Sequence, residues 1–191
     1  MIKKSLLLAL AVSLAACGNE TQTADEIAAP DATQSPTTNP LIERFDKAVI
    51  VVDANGVGPK GATPFRFGTA RGDVDPALAK AFGAPAEQGE NFDCGAGPMQ
   101  FSSYGPLQVA YQDGKLAGWY LRAGDRMATS DGVQPGTTTM DGLMDERQVR
   151  EINTTLPGEF EYTTADYGTI GGFAENGVIT SLHAGMTCFF R

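Results

Sequence analysis

Two stretches of this chain, SSYGPLQVAYQDGKLAGWYL and ADYGTIGGFAENGVITSLHA, carry the same order of turn, aromatic and apolar positions at a constant offset of 63 residues. Asp113-Gly114 in the first matches Asn176-Gly177 in the second, and Leu116 matches Ile179. Tyr104-Gly105 matches Tyr167-Gly168 at the same offset, while Gly68-Thr69 and Gly136-Thr137 hold similar places upstream. Asp-Gly and Asn-Gly between apolar runs specify two-residue hairpin turns, because both turn residues must take positive φ. A shared offset across several positions reads as duplication of one unit, against two unrelated hairpins of the same kind.

The surrounding elements follow the same order twice. Residues 45–53 (FDKAVIVVD) are dense in β-branched side chains and predict a strand. A Gly- and Pro-rich loop follows, and Asp75-Pro76 reads as an N-cap with proline in the first turn of a helix that stops at Gly83. Strands are expected around 98–103, 107–112 and 115–122. In the second unit an amphipathic stretch with Met140, Leu143, Met144 and Val149 predicts a helix. Strands over 159–163, 169–174 and 178–183 complete that unit. The expected fold is α+β, two tandem helix-plus-meander repeats with the helices on one face of the sheet. Repeat one spans about 45–125 and repeat two about 126–191.

On Phe67-Gly68-Thr69, Pro135-Gly136-Thr137 and the hairpin turns, the pattern resembles the tandem half-repeats of β-lactamase-inhibitor-like proteins. It is also similar to the small outer-membrane assembly lipoproteins that carry one such unit. The resemblance implies a binding role, either inhibition of an enzyme or support of envelope assembly. The inhibitor proteins place a disulfide within each repeat, whereas each repeat here holds one cysteine. A bridge would therefore join the two repeats.

The first residues set an address. Lys3 and Lys4 precede an apolar run over 6–12, too short to span a bilayer, and small residues follow, as in a secretory leader covering 1–16. Leu14-Ala15-Ala16-Cys17 resembles a bacterial lipoprotein signal, which implies acylation of Cys17 and anchoring in a cell-envelope membrane. Gly18 after the cysteine implies, by resemblance to lipoprotein sorting, the outer membrane facing the periplasm. Residues 17–44 are rich in Thr, Ala, Pro and acids without apolar periodicity, and read as a flexible tether to a domain over 45–191. With Cys17 acylated, Cys94 and Cys188 are left in an oxidising compartment where pairing is expected; two buried thiols are the alternative. A formal charge of −9, made more negative when the leader removes two lysines, argues against nucleic acid and against polybasic adhesion to lipid.

Candidate chemistry is sparse. Gly56-Val57-Gly58-Pro59-Lys60-Gly61 spells a dinucleotide fingerprint, but Pro59 removes a backbone donor and Pro64 and Gly68 break any helix after it, so it reads as a loop. Arg71-Gly72-Asp73 is a common string with no context of its own. Asp141, Asp145, Glu146 and Glu151, interleaved with Arg147 and Arg150, read as a solvated helix face. His183 is the sole histidine, so multi-imidazole metal sites and full triads are unavailable. No catalytic residue, cofactor or metal is assigned. A small hydrolase using Ser102 or Ser103 with His183, and a small-ligand carrier, stand as alternatives.

The hairpins suggest a surface instead. With Asp113-Gly114 as the turn, Tyr111 faces Leu116, Val109 faces Gly118 and Leu107 faces Tyr120. That register places Leu107, Val109, Tyr111, Leu116 and Tyr120 toward the helices and turns Trp119 outward with Gln108, Gln112 and Lys115. The matching face of repeat two carries Phe173, Val178 and Leu182. Trp119, Phe173, Val178 and Leu182 are thus the expected partner-binding residues, an apolar anchor with acidic groups steering a basic protein partner. The competing reading is that the second repeat inverts its facing, or that residues 45–53 cover this side.

Overall fold

Alternating apolar residues and two-residue turns dictate antiparallel meanders, and meanders dominate the structure, a computed structural model that describes residues 45–152 and 154–188. The first meander comprises β4 (Glu87–Asn91), β5 (Met99–Tyr104), β6 (Leu107–Gln112) and β7 (Lys115–Arg122). The second comprises β9 (Val149–Glu151), β10 (Glu159–Thr163), β11 (Thr169–Glu175) and β12 (Val178–Gly185). They join through their last strands into one eight-stranded antiparallel sheet, ordered β4-β5-β6-β7-β12-β11-β10-β9. At the junction Tyr120 lies directly opposite His183, with Trp119 opposite Ala184 and Leu121 opposite Leu182. Tyr120 and His183 are also equivalent positions at the offset of 63, so the halves are related about this one residue pair.

The α+β expectation, with helices forming the layer on one sheet face, is overturned. The structure is mostly β, and the layer against the large sheet is a second sheet. It consists of β1 (Ile50–Asp53), β2 (Gly56–Pro59), β3 (Phe65–Arg66) and β8 (Met127–Thr129) in the order β3-β2-β1-β8. The pairing is antiparallel except for β1 with β8. The glycine-rich stretch read as a loop is in fact β2. Its glycines serve close approach: a Cβ on Gly56 would stand 2.0 Å from the Phe65 carbonyl oxygen, and one on Gly58 would stand 3.0 Å from Pro64 Cα. Beyond a single helical turn at 45–47, two helices are described, α1 (Arg71–Phe82) and α2 (Met140–Glu146). α1 starts upstream of the expected cap, leaving Asp75 and Pro76 within it, because the Arg71 amide is already satisfied by Gly114 O at 2.8 Å. The second helix is only seven residues long, and Val149, expected on it, belongs to β9.

The two halves pin their helices alike. Gly68 N donates to Leu116 O (2.7 Å) and Leu116 N to Thr69 O (2.8 Å); in the second half Gly136 N donates to Ile179 O (2.7 Å) and Ile179 N to Thr138 O (3.0 Å). Both hairpin turns have positive φ at both residues, as their Asp-Gly and Asn-Gly sequences demand. The tyrosines do not match as the sequence alignment has them. Tyr104 is buried at the end of β5, whereas Tyr167 is a 91% exposed turn residue, and Tyr162, opposite Ile170, occupies the place of Tyr104.

A β-bulge changes which side chains face the core. In β7 an extra residue, Ala117, separates the Tyr111–Leu116 pair from Ala110–Gly118, so Val109 meets Trp119 and Gln108 meets Tyr120. β12 has the equivalent irregularity at Thr180, where Ala174 pairs with Ile179 and Phe173 with Ser181. Beyond each bulge the facing is the reverse of the simple alternation. Trp119 and Leu182 are fully buried, and the small sheet that begins with β1 covers them. The Trp119 indole donates to Asp53 O at 2.8 Å. The main core joins Ile50, Val52 and Val57 of the small sheet, Val74 and Leu78 of α1, and Val109, Leu121, Phe160, Ile170 and Leu182 of the large sheet. Cys94 and Cys188 lie at disulfide distance (Sγ–Sγ 1.97 Å, Cα–Cα 5.2 Å) in a smaller cluster with Met99 and Ala110.

Trp119→Ala is therefore a stability mutation. It should lower the unfolding free energy by about 3–5 kcal/mol, the range for truncating a buried aromatic, as measured by urea denaturation. Tyr120→Ala, on the other face, should cost under about 1.5 kcal/mol in the same assay.

Candidate functional site

Two constellations carry polar or aromatic chemistry, one on each side of the large sheet. On the inner side, α1 places Asp75 over β5 and β6. Its Oδ1 accepts from Tyr111 OH at 2.6 Å, and its Oδ2 accepts from Ser102 Oγ at 2.8 Å and Arg71 Nε at 2.9 Å. Tyr104 OH donates to the Asp75 carbonyl at 3.1 Å. Arg71 continues to Gln100 Oε1 at 3.0 Å and lies over the Tyr111 ring, 5.0 Å from its centroid. Burial alone would push the Asp75 carboxyl up, but the bonds from Tyr111, Arg71 and Ser102, with the Arg71 charge, outweigh it and hold the group below its usual value. Burial and the Asp75 carboxylate push both tyrosines far up. A carboxylate with both oxygens occupied, beside phenols that stay protonated, fastens a helix to a sheet rather than moving protons. Sequence reasoning gave Asp75 only a capping role; the available signal was Arg71 four residues before it, the spacing of a helical ion pair.

The proposed hydrolytic pairs do not assemble. Ser102 is fully buried on the inner side, in the cross-strand row with Val109 and Trp119. His183 is on the outer side, in the row with Tyr120 and Gly171. Ser103 shares that outer row through Gln108 and Tyr120, but three strand spacings, about 14 Å, separate it from His183. Neither serine is within reach of the imidazole.

The outer side holds the second constellation. Tyr120, His183, Phe173 and Phe101 are each half-buried there, and Arg122 is exposed beside them. The Phe173 and His183 rings lie 5.8 Å apart. Gly171 makes room for the imidazole, since a Cβ there would stand 2.4 Å from His183 Nε2. Next to them lies a hollow of about 360 Å³ lined by Asn91, Phe101, Gln108, Ala110, Tyr120 and Cys188, among others. Of the four residues expected to bind a partner, only Phe173 lies on this outer face clear of the turn. Val178 is half-buried beside the Asn176-Gly177 turn and bridges to Thr139. Trp119 and Leu182 are withdrawn into the core, and Tyr120 and His183 stand on the outer face in their place.

Among the described residues no three His, Cys, Asp or Glu side chains gather as a metal site, and no helix is long and apolar enough to cross a membrane. The leader, Cys17 and the tether lie outside the described residues. Asp75→Asn should lower stability by about 1.5–3 kcal/mol at neutral pH, the range for bonds to a charged group. Because the folded carboxyl is held low, this contribution is fully present above the unfolded value of about 3.9 and is lost as pH falls through the folded value. Urea titrations of both proteins at several pH values should show the gap closing only on the acid side. Comparison with known proteins gives no match: no family model fits the chain, and no curated protein or solved structure aligns with it significantly.

Proposed function

We propose that this chain is a protein-binding module, acylated at Cys17 and held by that lipid at a membrane of the cell envelope, the outer membrane facing the periplasm. Its folded part engages a partner through the outer face of the eight-stranded sheet. The observation that carries this reading is the Tyr120–His183 pair at the junction of the halves, with half-buried Phe173 beside it and Phe101 two strands away, all on the side away from the main core. Aromatic side chains that present an apolar body and a polar edge at low entropic cost are what interface anchors require. The acidic chain, at a formal charge of −9, favours a basic partner and fast, salt-sensitive association. A Cys94–Cys188 disulfide suits an oxidising compartment, which is where a lipoprotein signal would deliver the chain.

The two related halves, meeting at Tyr120 and His183, support an origin by duplication. In this reading the chain inhibits an envelope enzyme or supports envelope assembly, without turnover of its own. Crosslinking in native membranes, with identification of the captured protein, tests it. Tyr120→Ala or Phe173→Ala should each weaken that capture by about 2 kcal/mol, roughly thirtyfold, with the fold intact by circular dichroism. Cys17→Ser should release the protein from the membrane fraction. Undiminished capture by both aromatic variants would refute the proposed face.

A further inference from the structure

We infer that β4 is a docking edge that takes up an extended, basic segment of a partner protein by adding it as a ninth strand to the large sheet. Of the four edge strands among the described residues, β4 is the longest at five residues; β3, β8 and β9 have two, three and three. β4 pairs with β5 from Glu87 to Asn91 without a bulge, and four of its five residues are exposed. A strand paired on one side directs alternate N–H and C=O groups away from its neighbour. Exposed edges are usually blunted by proline, charge, a bulge or shortness. β4 has no proline, bulge or lysine, and its one protection is the charge of Glu87 and Glu90, which repels acidic strands but not basic ones.

Its own charges select the occupant. Glu87 shares the outer row with Ser103, and Glu90 shares the inner row with Gln100, whose Nε2 holds it at 3.1 Å. A second copy of this acidic chain would bring carboxylates against carboxylates, so self-pairing is disfavoured and a strand bearing lysine or arginine is favoured. Hollows flank both ends of the edge. One of about 520 Å³ lies at Glu87, bordered by Phe82, Pro85 and Tyr104, and one of about 230 Å³ lies at Glu90, bordered by Phe92 and Met99. Strand addition takes affinity from main-chain bonds and specificity from pockets for alternate side chains. The edge borders the outer face, where Gly89 lies opposite Phe101, but strand addition uses main-chain groups and does not require the Tyr120–His183 pair.

The test uses the full mature chain in detergent and a nine-residue peptide of threonine and valine, with two lysines three positions apart to match Glu87 and Glu90. Calorimetry should show saturable binding, and hydrogen exchange should show new protection at residues 87–91. Lysine-to-glutamate replacement in the peptide, or Glu87→Lys with Glu90→Lys in the protein, should weaken binding at least about tenfold. N-methylation of one alternate set of peptide amides should abolish binding, while methylation of the other set leaves it intact. Equal binding by both methylated peptides would show attraction by charge alone and overturn the proposal. Protection elsewhere, no binding, or peptide-independent dimerisation through this edge would overturn it as well.

Discussion

The pairing of β7 with β12 is the interaction on which the rest of the structure depends. Each four-stranded meander alone would end in a long strand with open backbone groups and would bury one face incompletely. Joined at Tyr120 and His183, the two halves share a single inner face broad enough for the small sheet and α1 to cover. The bulges at Ala117 and Thr180 decide what that face contains. They turn Trp119 and Leu182 inward and Tyr120 and His183 outward. A single inserted residue in each half thus sorts the largest side chains between core and surface.

The polar cluster at Asp75 does the corresponding work for α1. Val74 and Leu78 bury against the sheets, but apolar contact leaves a helix free to slide. Bonds from Tyr111, Ser102 and Arg71 to one carboxylate fix its position along the strands. The second half builds this differently: Phe160, at the place of Ser102, packs there, and α2 is shorter. The halves therefore agree in backbone plan and differ in how each holds its helix.

The strands of both hairpins are legible in the sequence because period-two alternation and Asp-Gly or Asn-Gly turns act locally. The small sheet is not, since Gly56 and Gly58 resemble loop residues until the approach of residues 63–66 explains them. The start of α1 is hidden for a related reason: the Gly114 carbonyl that satisfies its first amide lies more than forty residues downstream. The outer face was misassigned because nothing at Ala117 announces a bulge. A signal existed nonetheless. Apolar positions fall at Leu116 and then Trp119 and Leu121, and again at Ile179 and then Leu182 and Ala184, the same slip of phase in both halves. Strands with period-two patterning do not slip phase twice at one place without an inserted residue.

The cysteine pair has a mechanical consequence. Cys94 follows the first edge strand and Cys188 follows the last strand, 94 residues apart, so the bond closes a loop holding seven of the eight strands of the large sheet. A load entering at residue 45 can peel away β1 to β3, α1 and β4, but meets a covalent stop at Cys94. Everything beyond that point is shielded from tension along the chain, including the junction of the halves at Tyr120 and His183.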